Sequence, residues 1–154
     1  MLCRASSQAI AHELCGVGAS CNLTVVILLL IAAGGATGSV LRYLIGGRVQ
    51  HFAPHGFPVG TLFVNVLGCF LIGIFIRQFM NVQTHNYERA FLMVGFCGGF
   101  TTFSTFSMEA IGLIEGGEYP RALAYITLSL LVCLTATAAG MAAVRLITGT
   151  GHAR

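Results

Sequence analysis

Long runs without a fixed charge organise this chain. Twenty-eight uncharged residues separate Glu13 from Arg42, another 28 separate Arg48 from Arg77, 19 separate Arg89 from Glu109 and 23 separate Arg121 from Arg145. A helix needs about 20 mainly apolar residues to cross a bilayer, so every run is long enough for one span. The pattern predicts an all-α membrane protein with four transmembrane helices, over residues 23–45, 59–76, 90 onward and 121–147. Pro54, His55, Gly56 and Pro58 mark a loop or short interfacial piece before the second span, and Gly116, Gly117 and Pro120 mark the turn before the fourth. Residues 1–22 hold one Arg, one Glu and no apolar stretch of signal-peptide length, which predicts a disordered or weakly helical extension. Residues 23–147 form the membrane domain and 148–154 a short tail.

Polar and small residues recur at helical spacing inside these spans. Gly34 and Gly38 form a small-xxx-small pair that admits close approach of another helix, and Ala136 and Gly140 offer a second such face. Thr61, Asn65 and Cys69 fall at i, i+4 and i+8 on one face of the second span, as Tyr125, Ser129 and Cys133 do on the fourth, with Thr137 continuing the stripe. The third span is irregular: Gly98, Gly99, Phe100, Thr101, Thr102, Phe103, Ser104, Thr105, Phe106 and Ser107 follow one another at its centre. Adjacent glycines there carry a helix penalty of about 2 kcal/mol without a side chain to pack, which predicts a break from Gly98 to Thr102. Freed backbone groups at membrane depth must be buried in protein, line a watery cavity or bind an ion.

Composition narrows the function. The 154 residues are 56% hydrophobic and 8% charged, whereas a soluble domain carries about 25% charge. All the charge lies in Arg and Glu, and the net +3 is too small and too dispersed for a nucleic-acid partner. Cys3, Cys15 and Cys21 precede the spans and Cys69, Cys97 and Cys133 lie in them, with no CxxC pair, so they read as small packing residues. No HExxH, GxSxG or P-loop is present, and no span holds a pair of acids, so the chain does not read as an enzyme.

The polar span residues each admit two readings. Asn65 either glues helices through an interhelical hydrogen bond or faces a pore; Arg42 either snorkels to headgroups or guards a mouth; Glu109 is either a solvated helix end or a working acid. The hydroxyls of the fourth span either bond back to their own helix or line a path. Phe103 and Phe106, three residues apart, either pack or present positive ring edges to an anion. Ring edges, hydroxyls and an amide N–H together suit an anion that must pass without sticking. A proton-coupled exporter is the main alternative, with Glu109 its single candidate acid, and an accessory subunit without transport is the third.

GGATGSVLRY (34–43), GTLFVNVLGCF (60–70) and GFCGGFTTFSTFS (95–107) resemble the three signature segments of the CrcB/Fluc fluoride channels, over about residues 25–147. The resemblance implies an antiparallel, dual-topology homodimer in the plasma (inner) membrane, with two pores that conduct fluoride passively. It implies a structural sodium ion on the dimer axis, held by the backbone carbonyls of Gly98 and Thr101 from each subunit. It implies pore roles for Phe103, Phe106, Asn65, Tyr125, Ser129, Thr61, Ser104 and Thr105, a vestibule role for Arg42, and places Glu109 and Cys133 among the other polar positions. Cys133 and Cys69 depart from the family pattern, standing where hydroxyls are common, and a thiol is the weaker donor. Four spans would put Arg4, Arg77, Arg89, Arg145 and Arg154 on one side and Arg48 and Arg121 on the other; without the two terminal arginines the bias is weak, as dual insertion requires.

Overall fold

The computed structural model describes residues 3–53, 56–79, 86–147 and 149, with side chains from 22 onward, and they contain helices and turns with no strand. Helix α1 spans Cys3–His51, α2 Val59–Phe79, α3 Asn86–Glu88, a π-helical stretch Arg89–Cys97, α4 Gly98–Phe100, α5 Phe103–Glu115 and α6 Tyr119–Ile147. Four segments have the length and apolarity to cross a membrane: Asn22–His51, Val59–Phe79, Asn86–Glu115 and Tyr119–Ile147. The chain is a multi-pass membrane protein. Its N-terminal extension continues α1 back to Cys3, and most of the C-terminal tail lies outside the described residues.

Helix ends differ from the sequence-based bounds for identifiable reasons. Helix α1 runs past residue 45 to His51, because Gln50 anchors its last turn to the start of α2: the Gln50 side chain donates to Phe57 O at 3.0 Å and accepts from Gly60 N at 2.9 Å. The latter satisfies one of the amides that a helix N-terminus leaves without an intrahelical partner. Helix α6 starts at Tyr119, two residues early, since Pro120 in a first turn forfeits only an amide that would be orphaned anyway. Between α5 and α6, Glu118 N donates to Leu113 O and Gly117 N to Ile114 O, with Gly117 at φ +75°. That is a Schellman ending, which needs a residue at home in the left-handed region. It returns the chain so sharply that α5 and α6 lie side by side.

The third segment also differs from expectation. Gly98 is helical at φ −63°, ψ −36°, and extended backbone is confined to Thr101 (φ −83°, ψ 157°) and Thr102 (φ −149°, ψ 112°). The glycines serve packing: a Cβ on Gly99 would meet the Gly35 backbone at 2.5–3.1 Å, and one on Gly95 would meet Ile31 O at 2.7 Å. Reciprocally, a Cβ on Gly34 or Gly38 would collide with the carbonyls of Phe91 and Phe96. The Gly34–Gly38 pair therefore does what its spacing predicts, letting two backbones touch. A similar contact joins α2 to α6, where Gly73 faces Thr137 O and Gly140 faces Phe70 O. Phe106, Ala110 and Tyr125 form the buried core beside Phe57, Leu62, Leu113 and Ile126, while Leu28, Leu29 and Leu131 are exposed on the outside of the helices.

Candidate functional site

The site grows from the two extended residues at the centre of the third segment. Extended backbone at Thr102 takes its amide out of the helical ladder, where it would have closed a turn onto Gly98 O. Asn65, one turn above Thr61 on α2, meets both backbone groups of this residue: Thr102 N donates to Asn65 Oδ1 at 2.8 Å and Asn65 Nδ2 donates to Thr102 O at 3.2 Å. This two-bond clasp is the interhelical role considered for Asn65. A carboxamide carries two N–H donors, so one remains for another partner.

Thr102 also starts α5. Its Oγ1 accepts from Thr105 N at 3.2 Å as an N-cap, donates to Thr105 Oγ1 at 3.0 Å and lies 3.1 Å from Ser104 Oγ. Such caps contribute about 1 kcal/mol and here fix where α5 begins, hence where Phe103 and Phe106 point. The two rings lie 5.5 Å apart at 45°, and Phe106 is 5.2 Å from the Tyr125 ring at 47°. Phe106 is buried, whereas Phe103 is 76% exposed on the single chain.

A cavity of about 420 Å³ lies beside this clasp, lined among others by Asn65, Thr101, Thr102, Phe103, Phe106 and Ser129. Gly98, Cys69, Cys97 and Cys133 also reach it. Ser129 is the buried polar residue among those described, 7% exposed, and its Oγ has no hydrogen-bond partner. Its neighbours on α6 behave otherwise: Thr135 donates to Leu131 O at 2.9 Å and Thr137 to Cys133 O at 3.1 Å, the back-bonding common for hydroxyls on membrane helices. A buried polar group left unpaired is unfavourable by about 1–3 kcal/mol, so the Ser129 hydroxyl on the cavity wall is a donor open to a further partner.

Glu109 is no solvated helix end. Thr61 donates to one carboxylate oxygen at 2.8 Å and the fully buried Tyr125 donates to the other at 2.7 Å. Helices α2, α5 and α6 thus meet through one acid. Thr61, Thr105 and Glu109 line a second cavity of about 560 Å³ with Arg42 and Gln50. Arg42 reaches inward, its Nε donating to Gly99 O at 3.2 Å with Ser39 Oγ donating to the same carbonyl at 3.4 Å. Among the described residues no three His, Cys or Glu side chains converge as a metal site.

Most sequence-derived candidates therefore meet in two adjoining cavities. Thr101 turns its side chain back on its own helix, its Oγ1 donating to Cys97 O at 2.9 Å, and Ser104 is exposed. Thr102 was absent from the candidates, although a Thr before an apolar helical run is the usual N-cap signal.

Known proteins resemble this chain over most of its length. The family model described as CrcB-like protein, Camphor Resistance (CrcB), matches residues 29–141. A protein of Rhizobium meliloti named fluoride-specific ion channel FluC is 49% identical over 119 residues, covering 77% of this chain and 95% of the relative. One of the same name from Sulfurovum is 44% identical over 115 residues, 75% of this chain and 90% of the relative. A third, from Thermus thermophilus, is 52% identical over 97 residues, 63% of this chain and 78% of the relative.

Proposed function

Because the chain belongs to the CrcB family, we propose that it is a fluoride channel that lets cytoplasmic fluoride leave the cell across the plasma (inner) membrane. It is a transporter and not an enzyme. Neutral HF enters cells and dissociates at the higher internal pH, so a passive path for the anion lowers the trapped concentration. The observation that carries this reading is the unpaired, buried Ser129 hydroxyl on a cavity whose other walls are the Asn65 amide and the Phe103 and Phe106 rings. Hydroxyl, N–H and ring edge are donors without full charge, strong enough to replace water around a small anion and weak enough to release it.

The working unit is an antiparallel, dual-topology homodimer. Phe103, exposed on one chain at the rim of this cavity, would gain its second wall from the partner copy. Gly98 supports the same assembly, since a Cβ there would meet nothing of its own chain within 4 Å. The carbonyls of Gly98 and Thr101 from each protomer fit a structural sodium ion. Thr102 N is diverted to Asn65, which leaves Gly98 O without that helical donor, and carbonyl oxygens are ligands for hard cations. Bound there, sodium would supply positive potential between the pores. Arg42 draws anions to the outer cavity, Asn65 holds the Thr102 clasp while offering its second N–H, and Thr61 and Tyr125 keep Glu109 occupied. Ser104 and Thr105 keep the start of α5 polar.

Passive efflux tests the proposal. Liposomes holding the purified protein and potassium fluoride, with valinomycin to carry compensating charge, should lose fluoride without a proton gradient and retain chloride. Loss only under a proton gradient would instead favour the exporter, and no loss would favour an accessory subunit.

A further inference from the structure

Three span cysteines, Cys69 on α2, Cys97 on the π-helical stretch and Cys133 on α6, face the same cavity as Asn65, Phe106 and Ser129. None is in a disulfide. The register between α2 and α6 brings two of them together. Thr61 and Tyr125 share Glu109, and three turns further along both helices Gly73 lies against Thr137 O. Between those two contacts the same register sets Cys69 opposite Cys133, and both line the one cavity. Asn65 and Ser129 stand one turn before them, so the pair adjoins the polar wall of the cavity.

We propose that Cys69 and Cys133 form a two-thiol site for a soft cation of filled d shell, of which Hg²⁺ is the simplest probe, and that occupying it stops conduction. The second clause rests on the channel reading above. Soft metals prefer thiolate sulfur, and a two-coordinate ion needs no third ligand, in keeping with the lack of a three-residue metal cluster among the described residues. Mercuric chloride is neutral and enters apolar surroundings without the barrier a bare cation meets. On binding, both S–H and both Hg–Cl bonds break, two Hg–S bonds form, and two protons and two chloride ions leave with no change of oxidation state. The bridged metal then stands against the wall that Asn65 and Ser129 provide.

The test uses the full chain with Cys3, Cys15 and Cys21 replaced by Ser, reconstituted in liposomes, each variant compared with its own metal-free rate. Mercuric chloride should lower fluoride efflux by about tenfold or more, as an ion lodged in a conducting cavity does, and excess dithiothreitol should restore it. Intact mass should rise by one mercury less two hydrogens, with no chloride retained. Cys97→Ser should keep both responses, and Cys69→Ser combined with Cys133→Ser should lose both. A doubly substituted protein inhibited as strongly as its parent, or a parent that takes up no bridged mercury, overturns the proposal. If efflux is absent before metal is added, the channel reading fails, and the mass measurement still decides whether the two thiols form a site.

Discussion

Replacing Asn65 with Asp separates the two duties assigned to this residue. The carboxylate is nearly isosteric and still accepts from Thr102 N, so the 2.8 Å bond survives, while the 3.2 Å bond to Thr102 O loses its donor. Losing a donor to a half-buried carbonyl weakens the fold by about 1–3 kcal/mol, which a packed membrane dimer withstands. The larger effect is on the ion. An anion passing about 4 Å from a new carboxylate meets a repulsion of about 4 kcal/mol at an effective dielectric constant near 20. At about 1.4 kcal/mol per decade, efflux should fall roughly a thousandfold. Asn65→Ser introduces no charge and only withdraws the amide, so its efflux should fall only about tenfold. Both are measured with a fluoride electrode on liposomes, after size-exclusion chromatography has shown that the variants assemble. Equal efflux from the two variants would refute the reasoning, because the ion would then not sense charge at Asn65.

Ser129→Ala removes a hydroxyl without a protein partner, so thermal stability in detergent should hold or rise by about 1 kcal/mol while efflux falls; lost stability would mean the hydroxyl serves the fold. Gly99→Ala should destabilise the protomer by about 1–3 kcal/mol through overpacking against Gly35, whereas Gly98→Ala, open in its own chain, should spare protomer folding and weaken the dimer, as cross-linking yield and melting would report. Glu109→Gln keeps one acceptor for the Thr61 and Tyr125 hydroxyls, so efflux without a proton gradient should persist; abolished transport would favour a proton-coupled exporter.

The four spans are legible because each lies in an uncharged run, and membrane insertion tests little beyond length and charge. Local features carried further: the Gly34–Gly38 spacing announced a close helix contact, and the Thr and Ser residues after Gly99 announced irregular backbone. That the irregularity begins at Thr101 and not at Gly98 has a physical cause. A glycine pair signals weak helix propensity and close packing alike, and only the partner backbone at Gly35 decides between them. Glu109 was obscure for a related reason, since its partners Thr61 and Tyr125 come from two other helices, 48 and 16 residues away. The hydroxyls of α6 share one spacing and looked equivalent, yet Thr137 bonds its own helix while Ser129 has no partner, a distinction made by surroundings that periodicity does not encode.

The glycine contact between α1 and the third segment bears on how such a protein moves. Where main chain rests on main chain from Gly34 to Gly38 and from Gly95 to Gly99, no flexible side chains remain to cushion a slide or a twist. The two helices behave mechanically as one strut, and that strut carries Arg42 at one end of the contact and leads directly into the Thr101–Thr102 link. A gate that opened by shearing these helices would have to break a fit of backbone on backbone. Any adjustment of the two cavities would then fall to the side chains that line them, with this strut as the fixed wall they move against.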